Sequence, residues 1–267
     1  LTDLWFTRAF GAHYPLLYGH RDEAEAKRCL DLLPRLAPLD DRILDLGCGD
    51  GRHLQLLQER GKAAVGLDLS ADLLERARER FSGDRPARLV RGDMRALPFT
   101  EGAFRSVLSL FTAFGYFGPP AANAAPVREI ARVLEEGGHW FLDYFDADRV
   151  VMDLGRLSSA VRLREKKPLM VREERSYHPA TSQVKKEVWL RPLPGQEEAA
   201  REWGVPREGL RYTEEVAVFT LAELDEMATA AGLVRTASAG GYEGQDLGEG
   251  SRWLLVYKKM KGKGRRT

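Results

Sequence analysis

Ile43-Leu44-Asp45-Leu46-Gly47-Cys48-Gly49-Asp50-Gly51-Arg52-His53 is the stretch that decides how this chain is read. A branched, apolar run passes into a loop with glycine at every second position. An amphipathic segment, Leu54 to Arg60, follows and is closed by Gly61. This is the strand, tight turn and helix opening of an α/β unit that cradles a nucleotide-containing ligand. Gly47 permits a turn with positive φ, Gly49 lets a ligand approach without a Cβ in the way, and Gly51 allows close helix–strand packing. A second apolar run, Ala63 to Leu67, ends in Asp68, placed where an acid holds ribose hydroxyls.

Glycine loops serve several cofactors, and the acids decide among them. A dinucleotide would set its pyrophosphate on the amides at the helix N-terminus. Here Asp50 lies in the loop and Asp45 just before it, so a diphosphate meets two like charges at close range. S-adenosylmethionine has no phosphate and presents an ammonium, a carboxylate and a sulfonium. The string Asp-x-Gly-x-Gly-x-Gly from Asp45, with Gly66-Leu67-Asp68-Leu69-Ser70, resembles the first two motifs of class I S-adenosylmethionine-dependent methyltransferases. That resemblance implies a cofactor site built from Asp45, Gly47, Cys48, Gly49, Asp50, Gly51, His53, Asp68 and Leu69.

Composition fits an ordinary soluble enzyme. The 267 residues carry a formal net charge of +1, which recommends neither nucleic acid nor membrane as partner. No apolar run approaches the ~20 residues of a membrane span, and no charged-then-apolar leader opens the chain. The two cysteines, Cys29 and Cys48, make no disulfide framework, so a cytoplasmic home is expected. Leu1 stands where a methionine would begin a native chain. The basic run Lys258 to Arg266 reads as a solvated tail.

Strand and helix patterns alternate along most of the chain. Asp22 to Leu33 is an expected helix, ended by Pro34. Ahead of it the aromatic leader Trp5, Phe6, Phe10, Tyr14, Leu16, Leu17 and Tyr18 either covers a sheet edge or closes over the cofactor. Ser70 caps a helix to Phe81, Leu89-Val90 and Phe104 to Leu110 are strands, and Val127 to Leu134 is a helix. Glu135 to Gly138 reads as a turn before the strand His139 to Tyr144, and Ala147 to Leu154 as a short helix. Period-two alternation then marks antiparallel strands at Ala160 to Glu165, Leu169 to Tyr177, Gln183 to Leu190 and Gly209 to Phe219, with a loop at Pro192 to Pro206. Thr220 caps a helix, and the strands Leu233 to Ser238 and Arg252 to Lys258 finish the pattern. The expected fold is a Rossmann-like, doubly wound, mostly parallel α/β sheet with an inserted antiparallel β lid. Residues 1–40 form an N-terminal helical cap, 41–145 and 220–259 the core, 146–219 the insertion and 260–267 the tail.

In the resembled family, the position of Asp93 and Met94 after the third strand holds adenine. Leu110 and Phe111 follow the fourth strand, at the carboxyl edge where ligands bind in open α/β sheets. The run Phe111-Thr112-Ala113-Phe114-Gly115-Tyr116-Phe117 lacks the polar-Pro-Pro-aromatic string that holds a flipped-out base. It is similar instead to small-molecule members of the family, sugar N-methyltransferases and relatives of glycine N-methyltransferase. The leader Tyr18-Gly19-His20-Arg21-Asp22 is similar to that group too. The implied chemistry is in-line displacement of a methyl group onto an N or O of a small-molecule acceptor. Tyr14, His20, Tyr116 and His178 are the candidates to orient or deprotonate it, and Asp143, Asp146 and Asp148 are too loosely arranged for a metal. RNA or protein methylation has the basic tail and the pairs Lys166-Lys167 and Lys185-Lys186 in its favour. A nicotinamide oxidoreductase and a non-catalytic cofactor-binding protein are further alternatives. The insertion serves as a substrate lid or as the surface of a homodimer.

Overall fold

A computed structural model describes residues 5–18, 23–81, 86–155 and 160–262. Two short helices, α1 (Trp5–Ala9) and α2 (Tyr14–Tyr18), precede α3 (Glu23–Leu36). The core then runs β1 (Ile43–Leu46), α4 (Arg52–Glu59), β2 (Ala64–Asp68), α5 (Ala71–Arg80), β3 (Arg88–Arg91) and β4 (Phe104–Ser109). It continues through α6 (Ala124–Val133), β5 (Leu134–Phe145) and α7 (Ala147–Gly155). Next come β6 (Ala160–Lys166), β7 (Leu169–His178), β8 (Gln183–Pro192), α8 (Glu197–Glu202) and β9 (Leu210–Ala217). The chain closes with α9 (Leu221–Ala230), β10 (Leu233–Ala239) and β11 (Arg252–Lys259).

These strands form two sheets. One has seven strands in the order β10-β11-β5-β4-β1-β2-β3, parallel except for β11, and the other is the antiparallel meander β6-β7-β8-β9. The expected fold class is met. All four residues of β1 are buried, as a central strand covered on both faces requires. Strand order reverses between β1 and β4, so their carboxyl ends flank the crevice where ligands enter such sheets. Ser70 caps α5 by accepting from Leu73 N–H at 3.2 Å, and Thr220 with Glu223 makes a reciprocal capping box on α9.

Three local expectations are corrected. Pro34 lies inside α3, because its missing N–H falls in the last turn and Ala37 still donates to Leu33 O at 3.1 Å. The expected turn at Glu135 to Gly138 stays within β5 as a bulge: Phe104 pairs with Leu134, but Ser106 pairs with His139. Gly137 takes φ +82°, and a Cβ on Gly138 would sit 2.8 Å from Arg105 O. The expected loop Pro192 to Pro206 contains α8, which buries Ala200 in a cluster with Val188, Leu190 and Tyr212.

The leader packs along the edge strand β9 of the antiparallel sheet. Ala9, Leu17 and Tyr18 are buried in that same cluster, packed on the antiparallel sheet. The insertion is fastened to the core where Ala217 N–H donates to Gly115 O at 2.8 Å and the Tyr144 hydroxyl donates to Ala217 O. Among the described residues no helix is long and apolar enough to cross a membrane.

Candidate active site

The glycine loop is drawn onto β2 by backbone bonds, with Gly47 and Cys48 N–H both donating to Leu67 O. Asp68 completes the tie: one carboxylate oxygen accepts from Gly49 N–H and the other from Ser70 N–H, each at 2.8 Å. Burial raises its carboxyl above the usual range, opposed by these backbone donors. Gly49 has φ +56°, and a Cβ there would find nothing nearer than Leu73 Cδ1 at 4.0 Å, so the position opens onto free space. Gly51 differs. Its Cβ would lie 2.9 Å from Phe81 Cε2 and 3.2 Å from Ala77 Cβ, so this glycine admits α5 rather than the expected strand.

The free space is a cavity of about 710 Å³ at the carboxyl ends of β1, β2 and β4. Gly47, Cys48, Gly49, Asp50, His53, Asp68, Leu69, Asp93, Met94, Leu110 and Phe111 all line it, as do Tyr14 and Tyr116. Asp45 and Gly51 do not line it. The two acids expected to confront a ligand are both restrained. Asp50 is paired with Arg80 at 2.7 Å, while Asp45 is 1% exposed and pushed up to about 7 by burial and by the charge of Asp68. Asp93 is committed to Arg95, whose guanidinium reaches it at 2.6 Å. Burial raises that carboxyl, but the hydrogen bonds and charge of Arg95 outweigh it and hold it below the usual range.

His53 is buried, and burial holds its imidazole neutral, far below the usual histidine range. Its Nε2 has no protein partner, and neither does Asp45 Oδ2. Arg52, absent from the expected set, brings a cation to the cavity wall and stacks 3.9 Å from the Phe111 ring centre. A buried imidazole nitrogen with no protein partner on the cavity wall, an open glycine, a cation and an acid at the end of β2 fit S-adenosylmethionine, with its carboxylate, ammonium and ribose hydroxyls.

A second cavity, of about 370 Å³, adjoins the first. Phe10, Tyr14, Tyr18, Phe111 and Tyr116 line both. Its other wall comes from α7 and the antiparallel sheet, including Asp153, Arg175, Lys186 and Glu214. Phe111 and Thr112, between the cavities, have φ of 56° and 61°, a left-handed pair that side chains resist. Asp143 fixes them. Its Oδ2 accepts from Phe111 N–H at 2.8 Å and from the Tyr242 hydroxyl at 2.7 Å, and its carbonyl from Thr112 N–H at 2.9 Å. Arg252 binds Asp143 Oδ1 at 2.5 Å and Thr112 Oγ1 at 3.0 Å. No sequence signal joined Asp143, Tyr242 and Arg252 to this turn, because they are far apart in the chain.

Among the expected catalytic residues, Tyr14 and Tyr116 stand at the cavity junction, and the Tyr116 hydroxyl donates to Thr112 O. His178 does not: it ends β7, is exposed, and its ring meets Ser176 Oγ at 3.0 Å. His20 lies outside the described residues, as does the tail from residue 263. The Lys185-Lys186 pair offers no phosphate grip. Lys185 meets Glu187 at 3.2 Å, and Lys186 is buried against Glu214.

Comparison with known proteins agrees with this geometry. Residues 43–138 match the family model described as a methyltransferase domain. Over 167 residues the chain is 35% identical to dTDP-3-amino-3,4,6-trideoxy-α-D-glucopyranose N,N-dimethyltransferase of Streptomyces venezuelae, covering 56% of this chain and 68% of that one. The corresponding 3-amino-3,6-dideoxy enzyme of Streptomyces fradiae is 37% identical over 120 residues, 44% of each chain. A solved S-adenosylmethionine-dependent methyltransferase from Clostridium acetobutylicum superposes with a TM-score of 0.74 at 16% identity, over 93% of this chain and 96% of that one. Streptomyces venezuelae DesVI superposes at 0.64 and 25% identity, over 93% and 97%. The chain belongs to the S-adenosylmethionine-dependent methyltransferases.

Proposed function

We propose that this enzyme methylates the nitrogen of a small-molecule acceptor, an amino sugar carried on a nucleotide, with the cofactor in the larger cavity and the acceptor in the smaller. The observation that carries this reading is the junction of the two cavities at Phe10, Tyr14, Tyr18, Phe111 and Tyr116. Bound S-adenosylmethionine supplies an electrophilic methyl group. The chain's own residues do the rest. Asp68 accepts from ribose hydroxyls, Gly49 leaves room for the ligand, and Arg52 answers the carboxylate. His53, Asp93, Met94, Leu69 and Leu110 complete the wall. The aromatic junction excludes water and aligns the acceptor, where orientation contributes most to such a displacement. The relatives named above act on dTDP-amino sugars, which supports that acceptor class.

In this reading residues 1–40 cap the site, 41–145 and 220–259 hold the cofactor, and 146–219 select the acceptor. An acceptor cavity of about 370 Å³ suits a metabolite better than RNA or protein. Two buried, unpaired cysteines support a reducing, cytoplasmic setting. Val161 and Leu163, 56% and 66% exposed on the edge strand β6, support pairing of two copies there, which light scattering would test. The decisive experiment offers purified enzyme and S-adenosylmethionine a panel of nucleotide-linked amino sugars, free amino acids, phenols and tRNA. A gain of one or two methyl masses on the amino sugars is expected. Methylation of tRNA alone would overturn the proposal.

A further inference from the structure

The smaller cavity holds an ionic cluster that cofactor binding leaves unexplained. Strand register sets Arg175 on β7 opposite Lys186 on β8, and Lys186 opposite Glu214 on β9. Residues paired in this way project from one face, so the three form a row across the roof of the cavity. Lys186 is only 5% exposed, and its ammonium meets Glu214 at 2.7 Å and Glu173 at 3.8 Å. Glu173 is held in turn by Arg164 at 3.1 Å. Tyr18 joins from α2, donating to Glu214 Oε1 at 2.9 Å and accepting from Lys186 Nζ. Buried ionic networks often add no net stability over apolar packing, so this one calls for another reason. Its position supplies one, because Tyr18 faces both cavities.

We infer that Glu214 and the Tyr18 hydroxyl receive the N–H groups of an amine acceptor, which makes nitrogen rather than oxygen the atom methylated. The inference rests on the reading of the smaller cavity as the acceptor site. A carboxylate has about four lone-pair sites, and Lys186 and Tyr18 occupy two of those on Glu214. The remainder can accept from an amine at the cavity junction. An amine attacks only when neutral. At this point a second ammonium would lie beside Lys186 and Arg175, whose like charges favour the neutral form, while Glu214 opposes them and takes up the proton as it leaves. Burial also holds the Lys186 ammonium below its usual range, with Glu214 opposing. The nitrogen gains the methyl carbon, the carbon–sulfur bond breaks with its electron pair left on sulfur, and the nitrogen's proton passes to Glu214 and on to water. An alcohol would need a general base that removes a far less acidic proton, and among the described residues no histidine lines this cavity.

The test uses dTDP-3-amino-3,6-dideoxy-α-D-glucopyranose and its 3-hydroxy counterpart as probes. Parent enzyme, Glu214→Gln, Glu214→Asp and Tyr18→Phe are compared by methyl mass gain, by titration of each probe in the presence of S-adenosylhomocysteine, and by melting temperature. Only the amine probe should be methylated. Glu214→Gln and Tyr18→Phe should each lower kcat/KM roughly tenfold or more, with Glu214→Asp recovering part of the loss. S-adenosylhomocysteine affinity should stay near that of the parent; Glu214→Gln, which leaves buried Lys186 with Glu173 at 3.8 Å, should lower the melting temperature, and Glu214→Asp should restore part of it. Equal methylation of the hydroxy probe overturns the inference, as do variants that match the parent. A loss of activity that merely tracks melting temperature, without rescue by Glu214→Asp, reduces the cluster to a structural role and overturns it too. If neither probe is methylated although S-adenosylhomocysteine binds, the amino-sugar reading itself fails and takes this inference with it.

Discussion

Replacing Gly49 and Gly51 separately with alanine should split two properties that share one glycine-rich motif. Both positions are left-handed, at φ +56° and +81°, so each alanine costs about 1–2 kcal/mol of backbone strain. At Gly49 that is the whole cost to the fold, since the nearest atom to a new Cβ is 4.0 Å away. At Gly51 the methyl also crowds Phe81 at 2.9 Å and Ala77 at 3.2 Å, and overpacking adds about 1–3 kcal/mol. Gly51→Ala should therefore lose roughly 2–5 kcal/mol, and at ~2–4 °C per kcal/mol its melting point should fall visibly below that of Gly49→Ala. Binding should rank the other way. The Gly49 methyl points into the cavity and should weaken S-adenosylmethionine at least tenfold, ~1.4 kcal/mol, while folded Gly51→Ala keeps most of its affinity. Thermal unfolding of the ligand-free proteins and isothermal titration measure the two quantities. A Gly49→Ala protein that binds like the parent, or two variants equally destabilised, would refute the division of labour.

Asp68→Ala removes a charged acceptor from ribose hydroxyls and from the amides of Gly49 and Ser70. Cofactor affinity should fall ~30- to 150-fold, about 2–3 kcal/mol, and a titration showing less than a threefold change would count against the ribose role. Asp45, with its folded pKa raised from the usual carboxylate range to about 7, binds more protons folded than unfolded between those limits, so its contribution to stability declines as pH rises through that window. Asp45→Asn should flatten the fall, gaining on the parent by up to about 4 kcal/mol at pH 8 relative to pH 4; parallel urea-unfolding curves at the two pH values would contradict this. Arg252→Met strands the buried Asp143 carboxylate and should cost about 3–5 kcal/mol, measured by urea unfolding, and unchanged stability would mean the pair does not hold the Phe111–Thr112 turn.

Local chemistry made most of the core legible in the sequence. The apolar run ending at Leu46, the spaced glycines, Ser70 and Thr220 each act within a few residues, and their effects appear where expected. The failures have local causes as well. Glu135 to Gly138 reads as a turn because paired glycines usually end a strand, yet here β5 continues and absorbs them as a bulge. Pro34 reads as a terminus because nothing local reveals how close the helix end lies. The site was legible only where one segment supplies it. Asp143, Tyr242 and Arg252 converge through tertiary contacts, and so do Tyr18, Lys186 and Glu214. The Lys185-Lys186 pair reads in sequence as one basic patch, whereas a strand sends neighbouring residues to opposite faces and leaves Lys186 buried.

The shared cluster of Ala9, Leu17 and Tyr18 with Val171, Val188 and Leu190 has a consequence for engineering and for descent. The leader lines the larger cavity, yet it rests on the antiparallel sheet that we propose selects the acceptor. An exchange of acceptor modules between relatives must therefore carry residues 5–18 along with the strands they rest on. A graft of the sheet alone would leave Phe10, Tyr14 and Tyr18 without footing, and the recipient would lose its grip on the cofactor before its new selectivity was ever tried.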